Sequence, residues 1–108
     1  MYWIYILSNS RKNVYYTGFT NDLSRRLYEH REKLFPGFTE KYNCHVLLYF
    51  EEVEGLEEAK HREKQIKRYK RDWKENLINM INPDRIDLTY LFPFDEIPAQ
   101  GRESGTSS

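Results

Sequence analysis

The spacing of hydrophobic and polar positions changes several times along the 108 residues. Tyr2-Trp3-Ile4-Tyr5-Ile6-Leu7 is an unbroken aromatic and aliphatic run, as expected of a strand. Val14-Tyr15-Tyr16-Thr17-Gly18 is a second such run, and the polar stretch Ser8 to Asn13 between them reads as a turn, so the pair predicts a β-hairpin. A register with Leu7 opposite Val14 sets Tyr5 opposite Tyr16 and Trp3 opposite Gly18, which puts two phenols side by side on one face. After Gly18 the period lengthens. Leu23, Leu27, His30 (or Arg31) and Leu34 recur at helical spacing behind Thr20 or Asn21, either of them a good N-cap, and Pro36-Gly37 stops the helix. A loop leads to a third apolar run, about Cys44 to Glu51, which predicts a strand at the centre of the sheet. Gly55 breaks the chain before a long helix from Leu56 to Tyr69 or beyond. Asp72 to Met80 is a second helix or its continuation, Asn82-Pro83-Asp84 is a turn, and residues 88–94 pack back on the body. The order β-β-α-β-α-α, with a short antiparallel sheet and helices packed on it, is an α+β arrangement.

Composition narrows this picture. The length fits one domain, assigned to residues 1–94, with 95–108 as a flexible tail rich in Gly and Ser toward its end. Cys44 is the single cysteine, which excludes an internal disulfide or a multi-cysteine zinc site and fits a cytoplasmic protein. The apolar N-terminus is too short for a signal peptide, and no run approaches the roughly 20 apolar residues of a membrane span. Seventeen basic and seventeen acidic residues cancel, yet they are unevenly placed. Eight basic residues fall between Lys60 and Lys74, against Glu63 and Asp72 alone. A continuous helix carries Lys60, Lys64, Lys67 and Arg71 along one side, a stripe suited to phosphates or simply to solvent.

Glu63 is the most informative position. The apolar stripe of the long helix runs Leu56, Ala59, Ile66, Tyr69 and Trp73, and the residue that completes it is Glu63. A carboxylate turned inward needs a cation, a hydrogen-bond donor or an open site. It is therefore either an ion-pair partner of a nearby arginine or a metal-binding or catalytic group. Arg26 lies at the edge of the first helix's inward stripe, and Arg25 is turned about 100° away. His30 follows Arg26 by one turn, so the two reach the same place. Arg26 paired with Glu63 and His30 packed in a core is the plainer account of these residues. Tyr5 and Tyr16 serve equally well as a cross-strand aromatic pair.

Taken together, these residues resemble the GIY-YIG nuclease family. Trp3-Ile4-Tyr5 stands where the family has Gly-Ile-Tyr, and Tyr16-Thr17-Gly18 where it has Tyr-Ile-Gly. Gly18 through His30 is similar to the segment entering the family's first helix, with Arg26 at the conserved arginine. Glu58 through Lys67 resembles the helix that supplies the metal-binding glutamate, at Glu63. The resemblance spans about residues 2–82 and is nearest to small stand-alone bacterial members, similar to the N-terminal nuclease domain found in the bacterial excinuclease ABC. Trp3 and Thr17 depart from the pattern, Phe19 stands where some relatives carry a lysine, and Asn82 is the candidate for a late asparagine.

The resemblance implies a three-stranded antiparallel sheet and one Mg²⁺ or Mn²⁺ ion at Glu63. It implies an endonuclease acting on DNA, in repair or recombination, with Tyr5, Tyr16, Arg26 and His30 as catalytic residues. Lys60, Lys64, Lys67 and Arg71 are the expected nucleic-acid contacts. Two other readings use the same fold: a nucleic-acid-binding module that does not cut, and a protein-interaction subunit using the apolar segment Tyr90 to Phe94.

Overall fold

The computed structural model describes residues 1–34 and 37–94; the expected tail over 95–108 lies outside the described residues, as does Pro36. Strand β1 (Tyr2–Ser8) and strand β2 (Tyr15–Thr20) form the expected hairpin. Helices α1 (Leu23–Arg31) and α2 (Phe38–Lys41), strand β3 (Val46–Val53), helices α3 (Leu56–Arg68) and α4 (Arg71–Ile81), and a 3₁₀ turn (Leu88–Leu91) follow. The sheet is three-stranded and antiparallel, in the order β2-β1-β3. The α+β class and the order of its main elements are those expected, with α2 an addition inside the expected loop.

Two details of the sheet correct the sequence reading. Tyr5 faces Gly18 and Leu7 faces Tyr16, two residues away from the expected register. The cause is the turn. Asn9 Oδ1 accepts from the N–H groups of Asn13 and Val14, at 3.1 and 3.3 Å. Its Nδ2 donates to Asn13 Oδ1 at 2.7 Å, and Lys12 takes φ 60°. This closed loop uses Val14, so pairing begins at Ser8 and Tyr15. A shift of two preserves the facing of every side chain, so Tyr5 and Tyr16 still share a face.

The second correction concerns β3, which is an edge strand despite its apolar composition. Its pairing with β1 slips between Ile6 and Leu7 so that Leu48 is an extra, bulged residue. The chain after α4 seals this region. Asn82 Nδ2 donates to the carbonyl of Leu48 at 3.1 Å, and Asp87 Oδ1 accepts from the N–H of Leu47 at 3.1 Å. The sequence suggested a central strand because such cover produces the same apolar run as a neighbouring strand.

One core lies on each face of the sheet. Ile4, Ile6, Val46 and Leu48 pack with Ala59 and Ile66 of α3 and Ile78 of α4. Tyr5, Leu7 and Leu47 pack with Leu23 and Leu27 of α1, Cys44 and Leu88. Phe92 stands edge-on to both Trp3 and Phe50, so the expected return of residues 88–94 is present. Among the described residues no helix is long and apolar enough to cross a membrane.

Three helix readings also change. Asp22, not Thr20 or Asn21, caps α1: its side chain accepts from the Arg25 N–H at 3.1 Å. Thr20 stays in β2, and its Oγ1 accepts from the Asp22 N–H. The first helix ends at Arg31, leaving Leu34 exposed. The long helix ends at Arg68, where Tyr69 and Lys70 adopt extended backbone before α4 begins. Because of that break, Trp73 leaves the apolar stripe and is 59% exposed.

Candidate active site

The free edge of β2 is where the two faces meet. There, a cleft of about 430 Å³ is lined by Tyr5 of β1, Tyr16 and Gly18 of β2, Arg26 of α1 and Glu63 of α3, among others. Arg26 arrives from the α1 face and Glu63 from the α3 face. Four of the five residues singled out as chemistry-bearing therefore share one opening.

Gly18 makes this packing fit. A Cβ at Gly18 would lie 2.6 Å from Tyr5 Oη and 3.1 Å from a ring carbon of Tyr16. The glycine is required for space, since its backbone is not of the left-handed type. The Tyr5 ring thus crosses directly over β2 and delivers its hydroxyl to the cleft floor. It is 1% exposed, with ring centroids of Tyr5 and Tyr16 6.3 Å apart.

His30 is the fifth residue, and it does not line the cleft. It is buried behind Tyr5, with Nε2 3.1 Å from Tyr5 Oη and Nδ1 3.1 Å from Thr39 Oγ1. A neutral imidazole accepts at one nitrogen and donates at the other, so both hydroxyls are satisfied in either tautomer. Thr39, on α2, is buried as well. The sequence reading missed it because residues 35–43 look like a plain loop. The only available signal was a small hydroxyl nine residues after His30, which is too common to single out.

The electrostatics follow from this burial. Desolvation pushes the Tyr5 phenol well above its ordinary range; Tyr16 adds to the rise, Arg26 opposes it, and Glu63 raises it further. Desolvation pulls His30 down to about 4, and the Arg26 guanidinium contributes. Around neutral pH the line Thr39–His30–Tyr5 is uncharged and full of hydrogen-bonding protons.

Glu63 is only partly shielded, its side chain 16% exposed, and Lys67 sits 3.0 Å from Oε2. Arg26 Nε lies 3.3 Å from Glu29 Oε1. Among the described residues there is no group of three or more His, Cys, Asp or Glu able to hold a metal ion. A single carboxylate opening on a polar cleft fits a hard divalent cation that keeps most of its waters, and does not fit a structural zinc site.

The expected basic stripe divides in two. Lys60 and Lys64 border a groove that also contains Glu63, adjoining the cleft. Arg71 belongs to another helix, because α3 ends before it. Its guanidinium donates to the Asn13 carbonyl at 2.8 Å and lies over the Tyr15 ring at 4.4 Å. It clamps the hairpin to α4. Asn82 spends its side chain on the backbone of Leu48 and of Ile86, which gives it a structural task.

The family model described as the GIY-YIG catalytic domain matches residues 1–76. The chain is similar to a UPF0213 protein of Clostridium perfringens (strain 13 / Type A), 35% identical over 79 residues that cover 73% of this chain and 84% of that one. A UPF0213 protein of Syntrophus aciditrophicus (strain SB) is 36% identical over 85 residues, 78% of this chain and 95% of that one. The solution NMR structure of a UPF0213 protein from Bacillus halodurans matches with a TM-score of 0.51 at 26% identity, covering 87% of this chain and all of that one.

Proposed function

The chain belongs to the GIY-YIG catalytic domain family, a nuclease family, and on that premise we propose that it is a divalent-metal-dependent endonuclease that hydrolyses DNA phosphodiester bonds. The observation that carries the proposal is the shared cleft of Tyr5, Tyr16, Arg26 and Glu63, drawn from four separate elements. Packing alone gives no reason for a guanidinium, a carboxylate and two phenols to converge on one opening.

Each side chain has a task in such a reaction. Arg26 binds the non-bridging phosphate oxygens, which its planar fork matches. Glu63 would hold a Mg²⁺ or Mn²⁺ ion, which would supply charge to polarise the phosphate and to stabilise the leaving oxygen. Lys67, 3.0 Å from Glu63 Oε2, would have to give up that contact for Glu63 to hold the ion. Tyr5 keeps its proton and orients the attacking water, because burial holds its phenol protonated. Tyr16, beside it in the same cleft, acts as the base in its phenolate form, taking the water's proton to become a phenol that later returns it to solvent. His30 and Thr39 hold Tyr5 in place from behind. Lys60 and Lys64 flank the groove next to Glu63 and steer the phosphate backbone toward it. Repair or recombination of cytoplasmic DNA is the setting we assign.

The test is cleavage of labelled duplex, branched and single-stranded DNA with Mg²⁺, Mn²⁺ or EDTA, run beside Arg26→Ala and Glu63→Ala. Metal-dependent cutting should fall by roughly 100-fold or more in each variant, the scale of a lost transition-state contact. The melting temperature of Glu63→Ala should stay unchanged or rise. Metal-independent binding, unchanged in both variants and without cutting, would replace this proposal with the non-catalytic binding module.

A further inference from the structure

Tyr69 and Trp73 flank the break between α3 and α4, with ring centroids 5.6 Å apart and planes tilted by 46°. Tyr69 is the anchored member. It packs partly against the α3-side core, and its hydroxyl accepts from Arg62 Nη1 at 3.5 Å. Trp73 lies outside it, 59% exposed. A tryptophan left in water forgoes the apolar burial that normally explains this residue. The surroundings are cationic: a groove of about 310 Å³ is lined by Arg68, Tyr69, Lys70 and Trp73.

This groove is linked to the cleft by a series of grooves along α3 that share lining residues. Arg68 and Tyr69 are shared with a second groove containing His61, Lys64 and Gln65. His61 and Lys64 are shared with a third, which contains Glu63. Glu63 also lines the cleft itself. From Glu63 to Arg68 the helix rises about 7.5 Å and turns by about 140°, so a strand joining the two crosses α3 obliquely. Positive charge is crowded on this side as well: burial, Arg71 and Lys67 all push the Lys74 ammonium below its ordinary range.

We propose that Trp73, backed by Tyr69 and flanked by Arg68 and Lys70, is a stacking platform for an unpaired base of a single-stranded DNA segment whose backbone runs along α3 to the cleft. The assignment deepens the nuclease reading and rests on it for the identity of the ligand. Aromatic faces with adjacent cations suit single strands because every base has a π-face, whereas bases inside a duplex are already stacked.

The experiment is binding of a labelled oligothymidylate and of a blunt duplex in EDTA, with the full chain and its Trp73→Ala and Trp73→Phe variants. Trp73→Ala should weaken single-strand binding by roughly 10- to 100-fold, the span measured for a lost base–aromatic stack. Trp73→Phe should restore most of it, and duplex binding should be nearly unchanged. Single-strand binding unaffected by Trp73→Ala, or an equal loss on the duplex, would overturn the assignment. If Trp73→Ala also lowers the melting temperature, the comparison of Trp73→Phe with the unaltered protein decides. The assay needs neither metal nor cleavage. A protein that never cuts but needs Trp73 for single strands would sink only the nuclease reading.

Discussion

The two edges of this small sheet are treated in opposite ways. At β3, backbone groups beside the bulge are met by side chains of the following segment, Asn82 on the Leu48 carbonyl and Asp87 on the Leu47 N–H. At β2 no further strand or sealing side chain of this kind is present among the described residues, and the cleft opens there instead. One edge is closed by short polar residues used as backbone substitutes. The other is left open to a guanidinium and a carboxylate, which belong to helices on opposite faces. On the proposed function, stability concentrates at the β3 edge and chemistry at the β2 edge, and substitutions should separate the two.

The largest effect is expected at the sealed edge. Asn82→Ala removes a buried hydrogen bond to the Leu48 carbonyl and two part-buried ones to Ile86, at a cost of about 3–4 kcal/mol. Urea unfolding should show that loss, while cleavage per folded molecule stays close to the unaltered value. A large drop in specific activity without loss of stability would mean that Asn82 serves the cleft.

Next in size is the acid response of His30, which supports the open edge from behind. Its folded-state value of about 4 lies below the ordinary 6.5. The unfolded chain therefore binds the proton first as pH falls. This part of the stability is fully present above about pH 6.5, and is lost between there and about pH 4. It amounts to at most about 3 kcal/mol. Melting curves of the protein and of His30→Gln between pH 4 and 7 check this: the variant should show a shallower dependence, and parallel curves would contradict it.

Gly18→Ala strikes the open edge directly. The new methyl would displace Tyr5 from over β2, with a cost of about 1–3 kcal/mol for overpacking. Here cleavage should fall further than stability predicts, because Tyr5 also loses its position against His30. Activity and melting temperature measured on one preparation distinguish this from simple unfolding.

The smallest effect lies within β2. Thr17 is buried, and its Oγ1 has no hydrogen-bond partner among the described residues. Thr17→Val removes that orphaned hydroxyl with little change of shape and should stabilise by about 1 kcal/mol. A loss of stability would show that the hydroxyl has a partner, such as a buried water.

How much of this was legible in the sequence depended on the range of the cause. Glu63 stood out because a carboxylate interrupted an apolar series, which is a local signal. The shared facing of Tyr5 and Tyr16 survived a wrong register because strand side chains alternate with period two. The register itself depended on how Asn9 folds the turn, which composition does not reveal. The edge position of β3 was hidden because cover from a distant segment writes the same apolar run as a neighbouring strand. Trp73 was misread as core because nothing at Tyr69-Lys70, neither glycine nor proline, marks the end of α3. Thr39 was invisible because its importance exists only once α2 stands beside α1.

The open edge has a consequence for the company the molecule keeps. An unpaired strand edge is a template on which another chain can add a strand, the first step toward aggregation. Around β2 that approach is guarded by charge: Arg26 with Glu29 on one side, and Glu63 with Lys67 on the other. An incoming strand would have to strip water from both pairs before making its first hydrogen bond. A phosphodiester brings a charge that can replace Glu29 as the partner of Arg26, and so offsets part of that cost. The side chains proposed to receive a nucleic-acid backbone therefore also make the cleft inhospitable to a polypeptide one.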